Sequence, residues 1–191
     1  MSDAFECVCY CIRNEIRGHE ATGGYSNDPD DPGGETKYGI AQRDHPGVDI
    51  AGLTMEGAGI ILRTQYWCYD GVTDNRVAAK LLDLAINMEG TGKCGAAVKI
   101  AQAAAEMQFP ESLLLDGVYG PSTERMLNTA NPASLLMAMD GLACEHYRAI
   151  AAARPQSEKF LAGWLARANR IPEYDPSALR GHKINPGMEA A

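Results

Sequence analysis

The stretch Phe5-Glu6-Cys7-Val8-Cys9-Tyr10-Cys11-Ile12-Arg13-Asn14-Glu15-Ile16-Arg17-Gly18-His19-Glu20 decides the class of fold. Phe5, Val8, Cys9, Ile12 and Ile16 recur at helical spacing, which predicts a helix over residues 3–19 with one apolar stripe. One further step of four from Ile16 reaches Glu20, so the same periodicity places that carboxylate toward the core or a cleft. Partial desolvation there disfavours the ionised form and raises the pKa, as a general acid working near neutral pH requires. Glu20 is the candidate acid on this reading, and an exposed helix-end residue on the plainer one.

The chain then runs Gly23-Gly24-Tyr25-Ser26-Asn27-Asp28-Pro29-Asp30-Asp31-Pro32-Gly33-Gly34-Glu35-Thr36-Lys37-Tyr38-Gly39-Ile40. Prolines fix φ and glycine pairs permit tight turns, so such a loop can hold carboxylates in set places. Hydrolysis of a glycosidic bond uses that arrangement: one protonated carboxyl donates to the leaving oxygen, and a second group attacks the sugar or orients water. Asp31, Glu35 and Thr36 are the candidates for the second role. Asp30 and the flanking Tyr25 and Tyr38 are candidate substrate contacts; Trp67 and Tyr69 could also stack on a sugar, but aromatics so placed are more often core. Two plainer readings stand beside this one. The Asp-Pro steps are ordinary turn chemistry, and a calcium loop would draw on the same aspartates, although the EF-hand sequence with its downstream Glu is missing.

Beyond this loop the pattern is helical. Helices are expected over 53–67, 77–89, 93–108, 121–129, 132–153 and 157–170, with Thr54 and Ser157 as caps and Pro121 and Pro132 in first turns. Thr36 to Gln42 reads as a short strand or hairpin arm, and the class is mainly α with a small β element after the first helix. Three sections follow: 1–71 as an N-terminal catalytic lobe with the acidic loop, 72–172 as a helical lobe, and 173–191 as an irregular tail. Asp83 and Asn87 share one helix face and are candidate cleft residues.

With 191 residues, 46% of them hydrophobic, the chain can bury a core of its own. A formal charge of −8 argues against nucleic acid as a partner. No apolar stretch reaches membrane-span length, and Met1 to Glu6 lacks the basic start and apolar middle of a signal peptide, so synthesis in the cytoplasm is expected. Six cysteines show no zinc-type pairing, and they are expected to be small apolar residues in a reducing compartment rather than ligands or disulfides. No metal or cofactor is expected, and the chain is expected to act as a monomer without stable membrane association.

The segment Gly18-His19-Glu20, followed by Gly23-Gly24-Tyr25 and Asn27 to Ile40, closely resembles the signature of glycoside hydrolase family 108. That family comprises phage endolysin N-acetylmuramidases and related bacterial secretion activators. Leu82-Asp83-Leu84-Ala85-Ile86-Asn87, Asp116-Gly117-Val118-Tyr119-Gly120-Pro121-Ser122-Thr123 and Lys159 to Arg167 extend the resemblance over roughly residues 5–171. It implies a lysozyme-like helical fold that cuts the β-1,4 bond between N-acetylmuramic acid and N-acetylglucosamine in peptidoglycan. The helical lobe resembles the family's peptidoglycan-binding region. The family's catalytic Glu maps onto Glu20, with Ala21-Thr22 standing as an insertion before Gly23. The order Glu20, Asp30 or Asp31, Thr36 also resembles phage-type lysozymes, and that likeness implies an inverting reaction. The implied setting is a phage or prophage endolysin reaching periplasmic peptidoglycan through a holin or another export route. A non-catalytic peptidoglycan-binding or secretion-accessory protein and a lytic transglycosylase are the rival readings.

Overall fold

A computed structural model describes residues 3–31, 33–88, 94–109 and 114–173. Among them are the helices α1 (Ala4–Glu15), α2 (Met55–Gln65), α3 (Asn75–Met88), α4 (Gly95–Glu106), α5 (Pro121–Thr129), α6 (Pro132–Ala153) and α7 (Glu158–Ala168). Two short antiparallel strands, β1 (Thr36–Lys37) and β2 (Ile40–Ala41), pair Thr36 with Ala41 and Lys37 with Ile40. The class is mainly α, as the sequence implies. The expected tail lies outside the described residues from position 174 onward, as does Pro32 of the acidic loop.

Local signals account for most helix boundaries. The Asp3 carboxylate accepts the Glu6 N–H at 3.1 Å, the Thr54 hydroxyl accepts that of Gly57 at 3.1 Å, and Asn131 accepts that of Ser134 at 3.1 Å. Each satisfies a donor that the first turn would otherwise leave unpaired. Pro121 and Pro132 occupy first-turn positions of α5 and α6, where no N–H is needed. Ser157 departs from expectation: its side chain makes no capping bond, because a 3-10 turn over Pro155–Ser157 leads straight into α7.

The largest correction concerns the end of α1. The helix stops at Glu15, four residues short of the expected 19, because Gly18 adopts φ +81° and turns the chain away. Only glycine takes that left-handed conformation freely, which makes it a common helix terminator. The apolar stripe is real as far as Ile16, with Val8, Cys9, Ile12 and Ile16 all buried, but its next step falls beyond the helix.

Helix α3 is the axis of the core and packs against α1, α4 and α6. Val77, Ala78, Leu81, Leu82, Leu84 and Ala85 are each at most 1% exposed. Lys80, on the same helix and fully buried, pairs with Asp140 of α6 at 2.6 Å and donates to the carbonyls of Ala168 and Arg170. The C-terminal end of α7 is thereby tied to the core, and α7 comes to lie where its side chains meet those of α1. Cys7, Cys9, Cys11 and Cys144 are buried free thiols, Cys94 is partly buried and Cys68 exposed, and Trp67 and Tyr69 are core residues, as the more frequent use of such aromatics suggests. No helix among the described residues is long and apolar enough to cross a membrane.

His45 makes the fold sensitive to pH. It is 5% exposed, its Nε2 lies 3.0 Å from the Tyr66 hydroxyl, and burial lowers its pKa below 6.5. The unfolded chain takes up a proton near the ordinary value while the folded chain resists it, so the stabilisation is complete above that value and is lost as the pH falls toward the folded pKa. Melting temperature is expected to drop between pH 7 and pH 5, and His45→Gln is expected to flatten that slope.

Candidate active site

A cleft of about 440 Å³ opens between the acidic loop and helices α6 and α7. Its floor includes Asn14 and Glu15 at the C-terminal end of α1, together with Asn87 of α3. One wall is built from Asp31, Gly33, Thr36 and Ala41, and the other from Tyr147, Phe160, Trp164 and Arg167.

Glycines fix the loop wall. Tyr38 and Gly39, both at positive φ (53° and 81°), form the two-residue connection of the hairpin, as the right-handed strand twist demands. A side chain at Gly39 would stand 3.4 Å from Glu15 Cγ and 3.3 Å from Ile86, so its absence lets the hairpin seat directly on Glu15. A Cβ at Gly23 would overlap the Tyr38 ring at 2.4 Å. The Ser26–Thr36 bridge and the Tyr38 N–H to the Gly23 carbonyl, 2.9 Å, close the loop on itself.

Glu15 is the carboxylate that this construction delivers. Its Oε2 receives the Arg167 guanidinium from α7. Arg167 also binds Asp83 at 2.9 Å through Nη2, and the Asp83 carboxylate accepts the Asn14 amide at 2.9 Å. Asn14 in turn accepts Arg170 at 2.5 Å. Burial works against the charge on Arg167, but Asp83 and Glu15 together outweigh it and hold its pKa well above the ordinary value. The chain Glu15–Arg167–Asp83–Asn14–Arg170 therefore sets the position of one cleft carboxylate from two distant parts of the sequence.

The residues expected from the sequence divide sharply. Asp31 and Thr36 line the cleft. Asp31 Oδ1 accepts the Gly33 N–H at 2.8 Å, while the Thr36 hydroxyl donates to the Gly34 carbonyl at 3.1 Å. Asn87 also lines it and donates to the Asp83 carbonyl at 2.8 Å.

Glu20 sits elsewhere. It is exposed in the turn after α1, outside the cleft lining, and its carboxylate accepts the Gly18 N–H at 2.9 Å, which lowers its pKa. The expected desolvation and raised pKa are thus reversed, because the helix that would have carried Glu20 inward has already ended. Asp83 is corrected as well: it is 0% exposed and committed to Arg167 and Asn14, out of reach of a ligand. Tyr25 donates to Glu35 at 2.7 Å on the outer side of the loop, and Asp30 with Asp28 grips Lys159 at 2.7 and 2.9 Å. Tyr38 stands over Gly23 and lies outside the cleft lining.

Sequence reasoning did not single out Glu15 as a cleft residue, although Gly18 was a legible stop signal and Glu15 follows Cys11 at a step of four on the buried face. It also missed the aromatic wall. The Trp164 ring stacks between those of Phe160 and Tyr147, at centroid distances of 5.9 and 5.4 Å and an interplanar angle of 29° to each. The half-buried Phe160 and Trp164 give this wall of the cleft an apolar, aromatic lining.

The Asp116–Thr123 turn serves architecture. The Gln102 side chain binds Asp116, Thr123 and the Gly117 N–H at 3.0 to 3.1 Å, and a Cβ at Gly117 would meet the Gly95 carbonyl at 2.6 Å.

Residues 13–89 match the family described as glycosyl hydrolase 108, and residues 96–169 match one described as a predicted peptidoglycan domain. Among solved structures the chain is similar to SagA of Brucella abortus, with 25% identity, a TM-score of 0.61, and coverage of 82% of this chain and 88% of that one. No curated protein matches the chain.

Proposed function

We propose, from the premise that this chain belongs to the glycosyl hydrolase 108 family and is a glycoside hydrolase of peptidoglycan, that Glu15 is its general acid. In this reading Glu15 protonates the oxygen of the β-1,4 bond between N-acetylmuramic acid and N-acetylglucosamine. Asp31 and Thr36 orient water against the anomeric carbon, and Phe160 and Trp164 carry a sugar ring. The observation that carries the assignment is that Glu15, Asp31 and Thr36 line one cleft, while Glu20 and Glu35 lie outside it. Glu15 stands at a helix end, seated under the Gly39 turn and held by Arg167.

A retaining enzyme would use a carboxylate as nucleophile, whereas single displacement needs one only to position water. Asp31 suits the latter role: one oxygen is fixed by the Gly33 N–H, and the other makes no hydrogen bond among the described residues. The reading extends to an endolysin of phage or prophage origin, monomeric and reaching the wall by holin or another export route; its support is the resemblance of the acidic-loop motif alone.

Mass spectrometry of fragments released from purified Gram-negative peptidoglycan tests the chemistry. Fragments with hydrated reducing ends are expected. Anhydro ends would establish a lytic transglycosylase, in which the substrate's own hydroxyl replaces water and Asp31 has no such task. Asp31→Asn is expected to lower kcat about a hundredfold or more with KM little changed. A variant keeping most of its kcat would remove Asp31 from the mechanism.

A further inference from the structure

The charge of the cleft runs against that of the protein. The chain carries −8 overall, yet five arginines and three carboxylates line the cleft. Three of those arginines are already engaged: Arg167 with Glu15 and Asp83, Arg170 with Asn14, and Arg43 with Asp44. The remaining two are Arg17, in the turn after α1, and Arg154, at the C-cap of α6. Both side chains are exposed, and among the described residues neither makes a hydrogen bond or ion pair. Arg17 lies near enough to Glu20 to help lower its pKa without bonding to it.

A neutral sugar chain gives no reason for uncommitted guanidinium groups beside the catalytic groups. Peptidoglycan differs from a plain amino-sugar polymer in one relevant respect: the peptide on each muramic acid lactyl group carries free carboxylates. Planar guanidinium groups bind carboxylates through paired donors, and a cleft with low-dielectric walls strengthens that attraction.

We propose that Arg17 and Arg154 form a subsite for the carboxylates of the stem peptide, so that the enzyme selects peptide-bearing glycan strands over bare ones. This inference rests on the cleft being the site of glycan cleavage. The lactyl carboxylate is a second source of the same chemistry, and it remains on strands from which an amidase has removed the peptides.

The test compares kcat/KM on soluble peptidoglycan strands with and without their stem peptides, for the wild type, Arg17→Gln, Arg154→Gln and Lys99→Gln. Lys99 is exposed and lies outside the cleft lining, so its variant controls for the change in net charge. The wild type is expected to favour peptide-bearing strands by about tenfold, mostly through KM. Each cleft variant is expected to reduce that ratio several-fold, and Lys99→Gln to leave it as it is.

Equal cleavage of both strands by the wild type would overturn the inference while leaving the hydrolase reading intact. A ratio that survives in Arg17→Gln and Arg154→Gln would overturn it as well, and would leave other contacts with the peptide as the source of preference, whereas a wild type that favours the bare strands would assign the two arginines to the lactyl carboxylate instead. Cleavage of neither strand would instead sink the assignment of the cleft as the catalytic site. Melting temperatures within a few degrees of the wild type are expected, since neither side chain is tied into the fold.

Discussion

Glu15→Gln is expected to abolish turnover for practical purposes, with kcat lowered about a thousandfold or more and the fold retained. Positioned proton transfer contributes roughly a hundred- to ten-thousandfold to a reaction of this kind, and the amide cannot supply the proton. Glutamine preserves size and still accepts a hydrogen bond from Arg167, so the loss would not come from collapse of the site. Glu20→Gln provides the contrast. Its carboxylate is exposed, bound to the Gly18 N–H and outside the cleft, and kcat is expected to change less than about threefold. Initial rates on peptidoglycan for both variants decide between the two glutamates. A dead Glu20→Gln beside an active Glu15→Gln would restore the assignment that the motif alone implies.

Arg167→Met is expected to cost about 3–5 kcal/mol of stability, because it leaves the buried Asp83 carboxylate without its cation. For a chain of this size that corresponds to a fall of about 6–20 °C in melting temperature. Activity should fall with it, since Glu15 loses its anchor. Arg167→Lys separates the two effects: it keeps the charge but cannot span Asp83 and Glu15 with one planar fork. Its melting temperature is expected between those of the wild type and Arg167→Met, with kcat still strongly reduced. Calorimetry with parallel rate measurements checks both, and an Arg167→Met protein that melts like the wild type would show that the network carries no stability.

Much of the fold was legible because its signals are local. Thr54, Pro121 and Asn131-Pro132 mark helix starts within a residue or two, and Thr36 to Gln42 reads correctly as the small β element. Asp31 and Thr36 were legible as site candidates for the same reason, since the loop that places them is written in nearby prolines and glycines.

The inward position expected of Glu20 fails because helical periodicity says where a face points only while the helix lasts, and one left-handed residue, Gly18, ends it. Asp83 misled for a different reason. Its partner Arg167 lies 84 residues away, and no spacing rule within α3 distinguishes a carboxylate facing a cleft from one buried against an arginine of α7. The aromatic wall was hidden similarly, because Tyr147, Phe160 and Trp164 become one surface only when α6 and α7 pack together.

The two family matches divide the chain at about residues 89 to 96, as though cutting and holding were separable trades. The arginine that fixes Glu15 belongs to the second of them. Grafting the first segment onto a foreign wall-binding partner would carry over Glu15, Asp31 and Thr36 yet leave Glu15 untethered and Asp83 uncompensated. A working hybrid is therefore expected to need α7 together with the acidic loop, a unit longer than the stretch that holds the proposed catalytic groups.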